Sequence, residues 1–380
     1  MFKKYSLHYY NFRLALLILT TMLFGLIAVN SADPSYTNKH IIGIVGATVI
    51  MIVISFIDYN WILKYFWLIY IFNMVLLIIV KFAGHTGKGA KRWIEIRENL
   101  TIQPSEFTKI FIILFMAKVI AMFKERFNTW KFLIILAILL LVPVALIFSQ
   151  PDLSTTLLIC LIILSVLYCA GIDYKKIFQF ILVLIPVAIA FFIYIQTPGQ
   201  KLLEDYQVDR IFDFFNSDSE ESEAGRYQQE YSSRAIGSGQ LTGKGLGNDS
   251  TNSLKNAGLI SEAQTDFIFS VIGEELGFIG STFTLLLMAW IVAECLYCSV
   301  RARNFEGRLI CCGVASWIAF QAFINIGVAM HILPNTGLTL PFISYGLSSL
   351  ISLSVAMGVV LNISLQRYSV DEDAVLNFNK

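Results

Sequence analysis

Residues 265–300 read TDFIFSVIGEELGFIGSTFTLLLMAWIVAECLYCSV. The second part of this stretch, 277–300, is almost wholly apolar. About 20 such residues in a helix cross the hydrocarbon of a bilayer, so this segment is long enough to span one. The first part places three carboxylates, Asp266, Glu274 and Glu275, among Phe267, Ile268, Phe269, Val271, Ile272 and Leu276. Carboxylates are costly in apolar surroundings unless paired, solvated or protonated. A span with acids at its mouth therefore raises both a fold question and a chemical one.

Working outward, comparable apolar runs recur along the chain, near 12–30, 41–57, 62–82, 106–122, 131–148, 153–170, 177–196, 309–331 and 342–365. Composition agrees. Of 380 residues, 56% are hydrophobic, 30 are Phe, and only 14% are charged, against about 25% charged in a soluble protein. The expected fold is an all-α integral membrane protein of about ten transmembrane helices, one domain over 1–380. A net charge of +1 speaks against a nucleic-acid partner, which would want a basic face. The six cysteines all lie in apolar runs, so no disulfide framework is expected. Cys295 and Cys298 have C-x-x-C spacing, but no His or second pair accompanies them, and they read as small packing residues.

Lys and Arg in the short loops set orientation. Lys3, Lys4 and Arg13 precede the first run, which reads as a signal anchor. Lys124, Arg126 and Lys131 follow the fourth run, Lys175 and Lys176 the sixth, Arg301, Arg303 and Arg308 the eighth, and Arg367 the last. If the spans alternate, all these loops and both termini are cytoplasmic. Two longer loops then lie outside. Residues 83–105 carry GAKRWI, whose basic residues break the simple charge rule. Residues 197–265 form the large extracellular loop between the seventh and eighth spans.

Four features invite a chemical reading beside a plain one. GSGQLTGKGLG (237–247) lacks P-loop spacing. It is either a flexible linker or a set of converging N–H groups which, with Lys244, could hold an anion. Lys109 in QPSEFTK and Asp152 in QPDLSTT stand at outer ends of spans, where ionisable residues usually pair. They could form a structural ion pair or face a cavity, and Glu106 shares the face of Lys109 one turn away. PNTGLTLPFISYGLSS (334–349) reads as irregular backbone around a cavity. If 266–276 is helical, Asp266 and Glu274 share a face. Asp266 could then accept a proton from a hydroxyl, or Thr265 or Asp266 could simply cap the helix.

These motifs occur in one order: GAKRWI, QPSEFTK, QPDLSTT, AIGSGQLTGKGLG, EAQTDFIFSVIGEELGFIG and PNTGLTLPFISYGLSS. Together they resemble the SEDS family, which includes RodA, FtsW and SpoVE, over nearly the whole chain. By compact length the chain is most like RodA, whereas LTLPF is more like FtsW or SpoVE. The resemblance implies a glycosyltransferase that polymerises lipid II into peptidoglycan strands at the outer face of the bacterial cytoplasmic membrane, for elongation and cell shape. Division or sporulation is the alternative role within the family, and a lipid II flippase or a scaffold without activity is the alternative class. By the same resemblance Asp266 is the catalytic residue. It likewise makes Lys109, Asp152 and Arg210 (in YQVDRI) substrate-binding, and the reading of the residues adds Glu106 beside Lys109 and Lys244, with the glycines around Lys244 approaching the pyrophosphate. A divalent ion, Mg or Mn, could assist the leaving group, and no organic cofactor is implied. The implied partner is a class B penicillin-binding protein, its single helix packing near 277–331 on Gly280, Ser281, Ala289, Gly313, Ala315 and Ser316. Three positions depart from the family pattern: Gln264 where HTDFIF has His, Gln240 in place of the last Gly of GSGG, and Leu347 in SYGLSS.

Overall fold

The computed structural model describes residues 9–87, 90–97, 100–195, 223–248, 253–255 and 258–366. Among them the chain forms helices α1 (Phe12–Ala32), α2 (Thr37–Ser55), α3 (Tyr59–Lys64) and α4 (Phe66–Ala83). Strands β1 (His85–Gly87), β2 (Ala90–Arg97) and β3 (Leu100–Ile102) follow. Then come α5 (Pro104–Met122), α6 (Trp130–Phe148), α7 (Leu153–Cys169), α8 (Tyr174–Ile195), α9 (Glu223–Ser238), α10 (Ile268–Val300), α11 (Phe305–Ala329) and α12 (Leu347–Leu365). Every apolar run falls on one of these helices, the third being divided between α3 and α4 at Tyr65.

Local chemistry sets several boundaries. Asn11 caps α1 by accepting from Leu14 N, Thr129 caps α6 by accepting from Phe132 N, and Asp152 caps α7 by accepting from Thr155 N. Each satisfies a donor that a helix start leaves orphaned. Pro104 opens α5, where its missing N–H costs nothing. Six helical segments among the described residues have the length and apolarity to cross a membrane: α1, Pro34–Ser55 with α2, α6, α10, α11 and α12. Helices α4 and α7 are apolar but shorter.

Helices α5, α11 and α12 form the middle of the bundle, with α12 packed on α2 and α11 on α5, α7 and α10. Leu347, the departure at the start of α12, lies over Gly43 of α2: a Cβ there would stand 2.5 Å from Leu347 Cδ2. Gly313 and Ala315, offered above as partner contacts, are buried inside the bundle. A Cβ on Gly313 would meet Ile113 of α5 at 2.8 Å and Val166 of α7 at 3.0 Å, so those residues serve the fold itself. Within 83–105 the described strands form a small antiparallel sheet in the order β1-β2-β3, with Ile94 opposite Ile102 and Gly87 opposite Ala90.

Two expectations about 197–276 change. Asp266 and Glu274 do not share a helix face, because residues 261–267 are turns and α10 starts at Ile268. No side chain caps that start, which removes the capping reading of Thr265 and Asp266. In addition, α10 is not one regular helix. Gly277 has φ 64°, ψ −155° and breaks it. Such a break strips backbone groups of helical partners inside an apolar bundle, a cost that must be met elsewhere.

The glycine stretch meets it. Lys244 N donates to Glu274 O and Gly245 N to Glu275 O, each at 3.0 Å, while Phe278 N donates to Gln240 O at 2.8 Å and Ile279 N to Leu241 O at 3.2 Å. The stretch is a splint on the broken helix rather than a loop free to close on pyrophosphate. Its close approach needs Gly243, which has φ 79° and whose added Cβ would collide with the Glu275 carbonyl. Gln240 adopts a left-handed φ of 49° without being glycine, at a strain of about 1–2 kcal/mol.

Gly243→Ala should therefore lower the melting temperature of the purified protein, with overpacking costing about 1–3 kcal/mol. Gln240→Gly should raise it, because relief of strain outweighs by up to about 1 kcal/mol the added freedom of the unfolded chain. Thermal unfolding in detergent reads both signs.

Candidate active site

Asp266 stands in the turn just before α10, partly exposed, where the loop 334–346 crosses it. Its Oδ2 lies 3.5 Å from the position a Cβ would take on Gly337, so its carboxylate lies against that loop at the rim of the bundle. The other two acids of the opening stretch have different duties. Glu274, 1% exposed, accepts from Lys244 Nζ at 2.8 Å and from Leu254 N at 2.9 Å. Glu275 accepts from Lys255 Nζ at 2.6 Å and from Ser31 Oγ of α1. Both are struts, tying the segment after α9 to α10 and α1. Lys244 is thus engaged by a buried carboxylate, and its charge is already met.

Lys109 and Asp152 do not pair with each other. Lys109 Nζ, fully buried, donates to Glu106 Oε1 at 2.8 Å and to Gln321 Oε1 of α11 at 3.1 Å, and lies 4.8 Å from the Trp317 ring centroid. Glu106 lies one turn before Lys109 on the same helix, within reach of its ammonium. Gln321 passes the network on, donating through Nε2 to Thr339 O at 2.9 Å. Asp152 is held by Gln103 Nε2 at 3.1 Å and Ser105 Oγ at 3.4 Å, with Arg92 Nη1 at 4.0 Å. Arg92 of β2 also donates to Gln150 O at 3.2 Å and to Pro151 O. Ser154 Oγ at the head of α7 donates to Thr336 O. Lys109 through Gln321, and the Asp152 turn through Ser154, thus each reach the loop that crosses Asp266. Arg210 lies outside the described residues.

Sequence reading passed over Arg92, Gln321, Asn325 and Lys255. A signal existed for two of them: Gln321 and Asn325 are polar, four apart and embedded in the apolar run of α11, which puts both on one helix face. Among the described residues no three His, Cys, Asp or Glu side chains converge to hold a metal ion. What the arrangement offers is a partly exposed carboxylate on a braced turn, above a buried and charge-compensated network.

Lys109→Met should destabilise the protein by about 3–5 kcal/mol, since it strands the buried Glu106. Adding Glu106→Gln should recover part of the loss, and thermal melts of the single and double variants check this.

A family model described as cell cycle protein, covering FtsW, RodA and SpoVE, matches residues 8–369. A probable peptidoglycan glycosyltransferase FtsW of Buchnera aphidicola subsp. Schizaphis graminum is 36% identical over 306 residues, 79% of this chain and 82% of the relative. The Haemophilus influenzae protein of the same name is 32% identical over 373 residues, 93% of this chain and 90% of the relative. Among solved structures, a chain of a peptidoglycan synthase complex superposes with a TM-score of 0.78 at 25% identity, covering 95% of this chain and 99% of that one. Thermus thermophilus RodA superposes at 0.69 with 24% identity, covering 95% and 98%, a likeness of fold. The expected kinship to RodA in particular is slightly displaced, because these sequence relatives bear the FtsW name. With residues 8–369 of its 380 matched by that family model, the chain belongs to the FtsW/RodA/SpoVE family of cell cycle proteins.

Proposed function

We propose that the chain is a peptidoglycan glycosyltransferase of the division type, polymerising lipid II at the outer face of the bacterial cytoplasmic membrane with both termini in the cytoplasm. Its relatives' names support the activity and favour division over elongation and shape. The observation that carries the reading is the Asp266 carboxylate at the bundle rim, against Gly337 of a loop that buried side chains brace from below.

In this reaction the 4-hydroxyl of one lipid-linked sugar attacks the anomeric carbon of another. The new C–O bond forms as the bond to the pyrophosphate oxygen breaks, and undecaprenyl pyrophosphate leaves. A sugar hydroxyl is a weak nucleophile, so Asp266 takes its proton as general base. The pyrophosphate gains negative charge and wants cations nearby. Lys109 and Lys244 are compensated by Glu106 and Glu274, so Arg210 is the remaining candidate that the family resemblance supplies. Lys109, Glu106 and Asp152 then act on substrate by fixing the loop above them. A class B penicillin-binding protein is the proposed partner. Its helix would lie on the outward face of α10, where Phe278, Phe283, Leu286 and Trp290 are exposed.

Purified Asp266→Ala and Asp266→Asn should melt as the parent does, bind lipid II, and yield no glycan polymer on gels. Full polymerisation by either variant overturns the assignment. Rescue of an FtsW-depleted strain without rescue of a RodA-depleted one is the outcome expected for the division role.

A further inference from the structure

Asp266 is not carried on a regular helix. It sits in a turn held locally by Thr265 N and Phe267 N donating to Glu262 O but by no i→i−4 ladder, so tertiary contacts also fix its direction. Three consecutive carbonyls supply them. Gln264 O accepts from Tyr345 N at 2.9 Å, Thr265 O from Ser344 Oγ at 2.6 Å, and Asp266 O from Asn325 Nδ2 at 2.8 Å.

Two of these donors are themselves bifunctional. Asn325 Nδ2 also donates to Leu338 O at 2.6 Å, and Ser344 Oγ also accepts from Leu340 N at 2.8 Å. Each therefore joins the Asp266 turn to the 338–340 backbone, next to the Gly337 that the carboxylate faces. Asn325 is 1% exposed and Ser344 4%, so water cannot replace either bond cheaply. The amide orientation of Asn325 is fixed by its surroundings: reversing it would set Oδ1 against two carbonyl oxygens. Held this way, Oδ1 is buried with no partner. A polar atom left unsatisfied is a cost, and such costs cluster where geometry serves function. Phe342, buried between the two anchors in sequence, holds a left-handed φ of 61°, a second strain in the same loop.

We propose that Asn325 and Ser344 are positioning residues for the reaction. By clamping the Asp266 turn to the 338–340 backbone they hold the general base in line with the sugar hydroxyl. The clamp touches main chain only, so it sets the direction of the carboxylate without contributing to substrate binding. It rests on the reading of Asp266 as the base. A misplacement of about 1 Å can cost about a hundredfold in rate, and the loss should fall on kcat alone, because an interaction used only in the transition state leaves KM unmoved.

The test compares Asn325→Ala, Ser344→Ala and Asp266→Ala, each as the purified full chain, assayed with lipid II and melted in parallel. Variants that melt like the parent, with kcat down about tenfold to a hundredfold and KM within about twofold, support the clamp. If Asn325→Ala does not survive purification, Ser344→Ala gives the same split or overturns the proposal alone. Parental kcat in both clamp variants, with Asp266→Ala inactive, removes the clamp and leaves the base in place. A raised KM with unchanged kcat also overturns it, by placing these residues in substrate binding. Activity in Asp266→Ala removes the base and the clamp together.

Discussion

A helix that breaks inside an apolar bundle must have its freed backbone groups paired by something else. Here the break is at Gly277 of α10, and the partners come from 240–245, a segment about one α10 length away in sequence. That exchange explains the glycines, since a side chain at 243 would occupy the space of the carbonyl it must approach. It also explains Glu274 and Glu275. They sit directly before the break and take Lys244 and Lys255 from the same incoming segment. Charge and backbone pairing thus act on one joint, which fixes the start of α10 and with it the turn that bears Asp266.

The interior charges follow a similar economy. Lys109 is among the largest fully buried side chains, and an isolated ammonium there would be prohibitive. Glu106, Gln321 and the face of Trp317 surround it. Replacing such a network with apolar residues need not cost stability, and what this one supplies is geometry: through Thr339 it steadies the loop over Asp266. Asp152 is placed by a different set of contacts, as a helix cap with Arg92 and Gln103 beside it. The two motifs brace one loop from two sides without touching each other.

Sequence by itself determined the class of fold, because apolar runs of membrane length and a low share of charge leave few alternatives. It located every such run on a helix, and the three-residue spacing of Glu106 and Lys109 put both on one helix face, whereas the expected pairing of Lys109 with Asp152 gives way in the structure to Glu106. Ordered motifs, rather than periodicity, carried the family and the choice of Asp266. Tertiary structure alone decided what those residues touch. Lys109 meets Gln321 across 212 positions, Asn325 meets Asp266 across 59, and Ser344 meets Thr265 across 79. Contacts at such separations depend on how helices pack and where one of them breaks, and neither leaves a local signature. The glycine stretch illustrates the limit: its composition fits a linker, an anion cradle or a splint equally well, and only the unpaired backbone of α10 lying beside it distinguishes them.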